Sequence, residues 1–252
     1  MRVTSRWLVA GGVTVALTGA VGVAALAAQD PGGGTAVTQA AGPPAPLDPL
    51  SADATRKAEG LAVDAVEARD GGGSGAAPAD PARPDALEGV QPLLADDRTG
   101  KDAVATGGGD GARRQDVFLY DYAKGEGVQA VVNTTTGRVE SVVSRRGFQP
   151  PPSRSEAEAA VSVLLADAQL GPSLKAQYRK ATGHDLTGPG DVRSQALIFR
   201  AEMATGIPGA ERAAACGDHR CVQLFVRLPD DSWVDTTRIV VDLTDARVLR
   251  LA

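Results

Sequence analysis

Two stretches of this chain alternate apolar and polar positions with the two-residue period of a strand that buries one face. They are Val117-Phe118-Leu119-Tyr120-Asp121-Tyr122 and Val222-Gln223-Leu224-Phe225-Val226. Each is followed by an apolar run that breaks at turn residues and resumes, VVNTTTGRV at 131–139 and VVDLTDARV at 240–248. Asn133 to Gly137 and Asp242 to Ala246 supply the turn chemistry of tight hairpins. Upstream of each set lies an amphipathic run introduced by Pro-x-Ser, at 49–69 and at 151–170. Ser51 and Ser153 fit N-cap positions, with Asp53 and Glu156 in the first turns, where a carboxylate suits the helix dipole.

These correspondences come in the same order twice. Residues 90–100 parallel 195–206, both ending in Thr-Gly, and 116–144 parallel 221–251. The pattern predicts an α+β protein of two units, each one helix packed on a three- or four-stranded antiparallel sheet. Neither unit has much apolar material, so the two are expected to pack together. The second adds a helix near 173–183, with Gly183 as its stop. We divide the chain at 48–148 and 149–252. Residues 29–47, 71–84 and 106–114, rich in Gly, Pro and Ala, are expected to be a flexible tether and two flexible insertions.

The N-terminus changes the picture of location. Arg2 and Arg6 precede an uncharged apolar run from Trp7 to Ala28 that closes on Ala25-Leu26-Ala27. Residues 1–28 therefore read as a secretory signal peptide or an N-terminal membrane anchor, and both export the remainder of the chain. The chain carries 26 basic and 31 acidic residues, and losing this segment removes two basic ones and no acidic one. A mildly acidic chain with no basic stripe argues against nucleic acid as a partner.

Little in the sequence carries chemistry. There are two histidines, His184 and His219, and no nucleophile elbow, zinc-protease motif or phosphate loop. No converging acid, base and nucleophile can be assembled, so no enzyme activity and no cofactor are expected. Asp96-Asp97 and Asp230-Asp231 read as solvated turns, and Arg113-Arg114 and Arg145-Arg146 as solvated loop charges. The two cysteines, Cys216 and Cys221, lie in CGDHRC. In an exported protein a lone pair most economically forms one disulfide. The competing reading is a soft-metal site of Cys216, His219 and Cys221. Trp233 reads either as an exposed anchor for a partner or as a core aromatic between strands.

The paired strand blocks, the PPSRSEAE helix, CGDHRCVQL and the closing WVDTTRIVVDL resemble the actinobacterial family of companion subunits of tyramine oxidase. The strand repeat with its VVNTTTGRV hairpin is also similar to the small cystatin-like N-terminal domains of copper amine oxidases and to PepSY-type domains. The resemblance implies two cystatin-like repeats and a secreted, non-catalytic companion of a copper amine oxidase. It transfers no catalytic residue, since two histidines cannot supply the three that the copper site of such an oxidase needs. The alternatives are an extracytoplasmic inhibitor or folding helper, and a metal-handling protein built on the Cys216, His219, Cys221 set.

Overall fold

Local chemistry sets each helix. The computed structural model describes residues 50–69, 84–98 and 112–251, so residues 1–28 and the tether lie outside the described residues, as do 71–83 and 106–111 of the two insertions. Helix α1 (Ala52–Arg69) begins where the Ser51 hydroxyl accepts from the Ala54 amide. It buries a stripe of Ala58, Ala62 and Val66, spaced four apart. Helix α2 (Arg154–Ala166) starts in a full capping box, with Ser153 and Glu156 satisfying each other's amides. Helix α3 (Leu170–Thr182) stops at Gly183, whose left-handed backbone (φ 75°) returns an amide to Arg179.

Strands β1 (Val90–Asp97), β2 (Arg114–Asp121), β3 (Glu126–Asn133) and β4 (Arg138–Arg146) form one antiparallel meander in chain order. Strands β5 (Arg193–Phe199), β6 (Cys221–Arg227), β8 (Ile239–Asp242) and β9 (Arg247–Arg250) form the second sheet in that order. The two-residue β7 (Trp233–Val234) adds to β6 on the side away from β5. The architecture is α+β with a four-stranded and a five-stranded antiparallel sheet.

The β3–β4 and β8–β9 hairpins turn by the same device. Asn133 Oδ1 accepts from the amides of Thr135 and Thr136, and Asp242 Oδ1 accepts from those of Thr244 and Asp245. Gly137 takes the left-handed position of the first turn (φ 66°) and Ala246 that of the second (φ 48°).

One face of the first sheet holds α1: Val117, Leu119, Val128, Ala130 and Val132 close over its alanine stripe. From its other face Tyr120 and Tyr122 enter a core they share with α2, α3, β6 and β8. The two sheets are therefore joined through side chains and remain separate as backbone. A third, smaller cluster gathers Phe199, Ala204, Ala213, Val240 and Leu249 around the two cysteines.

The charged pairs depart from expectation. Asp96 and Asp97 lie in β1, where Asp97 accepts from the Leu50 amide, Arg113 and Gln115. Residues 112–114 of the third Gly-rich segment are described, and Arg114 opens β2, buried and 2.7 Å from Glu140. Asp97 and Arg114 are tolerated here because each finds a counter-ion once the strands pair, Arg113 for the one and Glu140, two strands away, for the other. Arg145 and Arg146 are exposed on edge strand β4, and Asp231 sits in a turn at φ 68°.

Candidate functional site: an open strand edge beside a buried ionic junction

The junction between the halves is ionic at its centre. Arg220 and Glu156 are both fully buried. Arg220 donates from Nε to Glu156 Oε1 at 2.5 Å and from Nη2 to Oε2 at 2.7 Å, a bidentate pair. Its Nη1 donates to Gln149 Oε1 and to the Pro150 carbonyl. Glu156 also accepts from the Tyr122 hydroxyl at 2.6 Å and from the Ser153 amide. The guanidinium lies 4.8 Å from the centre of the Tyr120 ring, which meets Tyr122 edge-on at 4.9 Å. Burial pushes the Tyr122 phenol well above its ordinary range, and the Glu156 charge adds to the shift. Burial raises Tyr120 too, against the pull of Arg220. Burial alone would lower Arg220, but Glu156 outweighs it and the net shift is upward. The guanidinium and the carboxylate, both from the second half, satisfy each other, and the Tyr122 hydroxyl and the Tyr120 ring join them to the first.

Arg220 is delivered by the CGDHRC loop. Cys216 and Cys221 form a disulfide, with Cα atoms 5.4 Å apart, inside the small cluster around Ala213 and Val240. With both sulfurs joined, neither is a thiolate, and the ligand set Cys216, His219, Cys221 is not assembled. His219 turns instead to Asp242, with Nδ1 3.0 Å from Oδ2, and to Asp245 at 3.7 Å. Those three residues could face a cation, but Arg247 already lies 3.4 Å from Asp242 and 3.2 Å from Asp245. Asp242 occupies the hairpin position that Asn133 holds in the first sheet, so its turn-capping role accounts for it. His184 stands apart, exposed beyond α3.

The outer face of the second sheet is different in kind. Trp233 is 62% exposed and Leu197 57% exposed. The same strand positions bring Gln195 opposite the half-buried Phe225. A groove of about 1020 Å³ follows β5, walled by Val192 to Leu197, the first turns of α2, Phe225 and Trp233. A second hollow, of about 360 Å³, lies on the far side of Phe225 and Trp233, over Val234 to Thr237. Arg227 lies over the Trp233 indole at 5.6 Å. Of the two sequence readings of Trp233, the structure has the exposed one. Leu197, Phe225 and Arg220 escaped sequence reasoning. Two of them belong to strands that look like ordinary half-buried strands, and Arg220 finds its partner 64 residues away.

The molecule is thus an α+β protein with an ionic seam inside and an aromatic-edged face outside. No family model matches the sequence, and no curated protein matches it. Among solved structures it is similar to a copper-containing benzylamine oxidase from Hansenula polymorpha, at 14% identity and a TM-score of 0.41. That alignment covers 82% of this chain and 29% of the oxidase, a distant likeness in which this chain spans under a third of its neighbour's length.

Proposed function

We propose that this chain is a non-catalytic accessory protein, acting outside the cytoplasm, that binds another protein through the outer face of its second sheet. The observation that carries the reading is the exposed pair Leu197 and Trp233, with the half-buried Phe225 between them, beside an open strand edge. Large exposed aromatics next to a groove are the usual anchors of interfaces. The absence of a catalytic role is supported by the way ionisable clusters are engaged: Glu156 with Arg220, and Asp242 with Arg247 and a turn. The buried disulfide suits an oxidising compartment. Among the described residues no helix is long and apolar enough to cross a membrane.

The partner we assign is a copper amine oxidase, on the strength of the sequence blocks that resemble an oxidase companion. Co-expression with the oxidase of the same organism tests it. The expected result is a complex of fixed stoichiometry that Trp233→Ala or Leu197→Asp weakens, with no peroxide formed from tyramine by the purified chain, with or without copper. Failure of the oxidase to co-purify overturns the assignment of partner. A stoichiometric protease in its place would favour the inhibitor reading.

A further inference from the structure

Strand edges attract other strands, and proteins blunt them with proline, bulges, charge or brevity. The first sheet does so at both ends. Edge strand β1 carries Pro92 with a register shift at that point, and β4 is bulged against β3 and bears Arg138, Glu140, Arg145 and Arg146. In the second sheet β9 has only four residues. Strand β5 has only one of these devices, a single charge at its first residue, Arg193. It runs for seven residues without proline, pairs with β6 in unbroken register from Arg193 to Phe199, and has no strand on its other side among the described residues.

The groove lies along this edge, so a bound strand would have walls on both of its faces. On the α2 side Ser194 and Ala196 are small and leave room beside Ala157. On the outer side stand Arg193, Gln195 and Leu197, alternating as the pleat requires.

Charge chooses the occupant. Most charges that line the groove are already satisfied. Arg154 pairs with Glu158, and the Asp191 carboxylate accepts from the Thr187 hydroxyl and from the amides of Thr187 and Gly188. Arg193 and Arg227 sit directly opposite each other, a like-charge pair that opposes sheet pairing. They share one carboxylate, Asp231, at 3.5 and 3.3 Å. On the outer side of this end two guanidiniums draw on one carboxylate, which leaves the largely exposed Arg193 open to a second acid, and an apolar surface waits at the other end. Symmetric pairing with β5 of a second copy does not fit, because β5 carries no acidic residue to bring to Arg193.

We propose that β5 is the docking edge for an extended segment of the partner protein, which adds to the second sheet as a further strand. That segment carries an acidic residue beside Arg193 and an apolar one beside Leu197, on one face and four positions apart. The inference rests on the protein-binding reading above and names its mode.

A library of random linear peptides displayed against the immobilised full chain tests it. Selected sequences should converge on an acidic and an apolar residue four apart. Binding of the resulting synthetic peptide should fall about tenfold or more on Arg193→Glu, since like charges meet across the interface. The same substitution should turn the selected preference from acidic to basic. Methylating alternate amides of the peptide, in the register that points them at β5, should abolish binding, while the other register should not. Melting curves establish that the variant is folded. No convergence, or peptides indifferent to both Arg193→Glu and amide methylation, overturns strand addition. If the oxidase co-purifies while β5 proves inert, only the docking mode fails. If the peptides converge while no oxidase is retained, only the assigned partner fails.

Discussion

Replacing Arg220 by methionine removes the donor that both carboxylate oxygens of Glu156 rely on, in a place water does not reach. Glu156 would keep the Tyr122 hydroxyl and the Ser153 amide, but Gln149 and Pro150 would lose a donor as well. Breaking a buried ion pair from one side costs about 3–5 kcal/mol, because the orphaned charge remains desolvated. For a folded unit of this size that corresponds to a fall in melting temperature of roughly 6–20 °C. Glu156→Leu should cost at least as much, by stranding the guanidinium and leaving the Tyr122 hydroxyl and the Ser153 amide without an acceptor. The double variant Arg220→Met/Glu156→Leu strands neither charge, and its loss comes from the Tyr122 hydroxyl and Ser153 amide left without an acceptor, about 1–3 kcal/mol each. It should therefore be about as stable as either single variant, giving a coupling energy on the order of 3 kcal/mol in a double-mutant cycle. Urea unfolding followed by circular dichroism reads all four proteins. Singles that cost under about 1 kcal/mol, or that simply add in the double, would refute the view that this pair is a desolvated, mutually dependent seam.

Both raised phenols predict alkaline sensitivity. A group whose folded pKa lies above its unfolded value stabilises the fold fully below the unfolded value, here 10.0, and loses that contribution as pH rises beyond it. Stability should therefore be flat up to about pH 9 and fall above pH 10, and absorbance titration should show Tyr120 and Tyr122 ionising only with unfolding. Ala246→Gly should stabilise by a few tenths to about 1 kcal/mol by relieving a left-handed alanine, offset in part by the freer unfolded chain. Gly137→Ala, with open space around the added methyl, should cost about 1 kcal/mol by conformation alone. Thermal melts check both, and a neutral Gly137→Ala would contradict the strain argument. Reducing the disulfide or changing Cys216 to Ala should cost about 2 kcal/mol, the entropy of so short a loop, and lower the melting temperature by several degrees. Unchanged melting on reduction would count against it.

Features set by neighbouring residues were legible before the fold was. The Ser153–Glu156 capping box, the Gly183 stop and the Asn133 and Asp242 turns each depend on atoms within a few positions, and local chemistry decides them. The cysteine pair, too, has only one partner each to choose. What escaped depends on distance along the chain. Glu156 reads as a helix-start carboxylate and is one, yet its two oxygens are also committed to Arg220, which no local pattern announces. Asp97 and Arg114 look like solvated turn and loop charges because their counter-ions, Arg113 and Glu140, become neighbours only after the strands pair. Trp233 sits in a two-residue strand, too short for alternation to say which way it faces.

The seam also orders events in time. Tyr122 is made early, Glu156 follows it by 34 residues and Arg220 comes another 64 later. At translation rates of about 5–20 residues per second, the two tyrosines wait roughly 5–20 s for the cation that covers them. Through that interval the first sheet can fold on α1 while its second face stays apolar and uncovered, a surface that a holdase would recognise. Only when the CGDHRC loop arrives does the first half of the chain acquire its finished exterior.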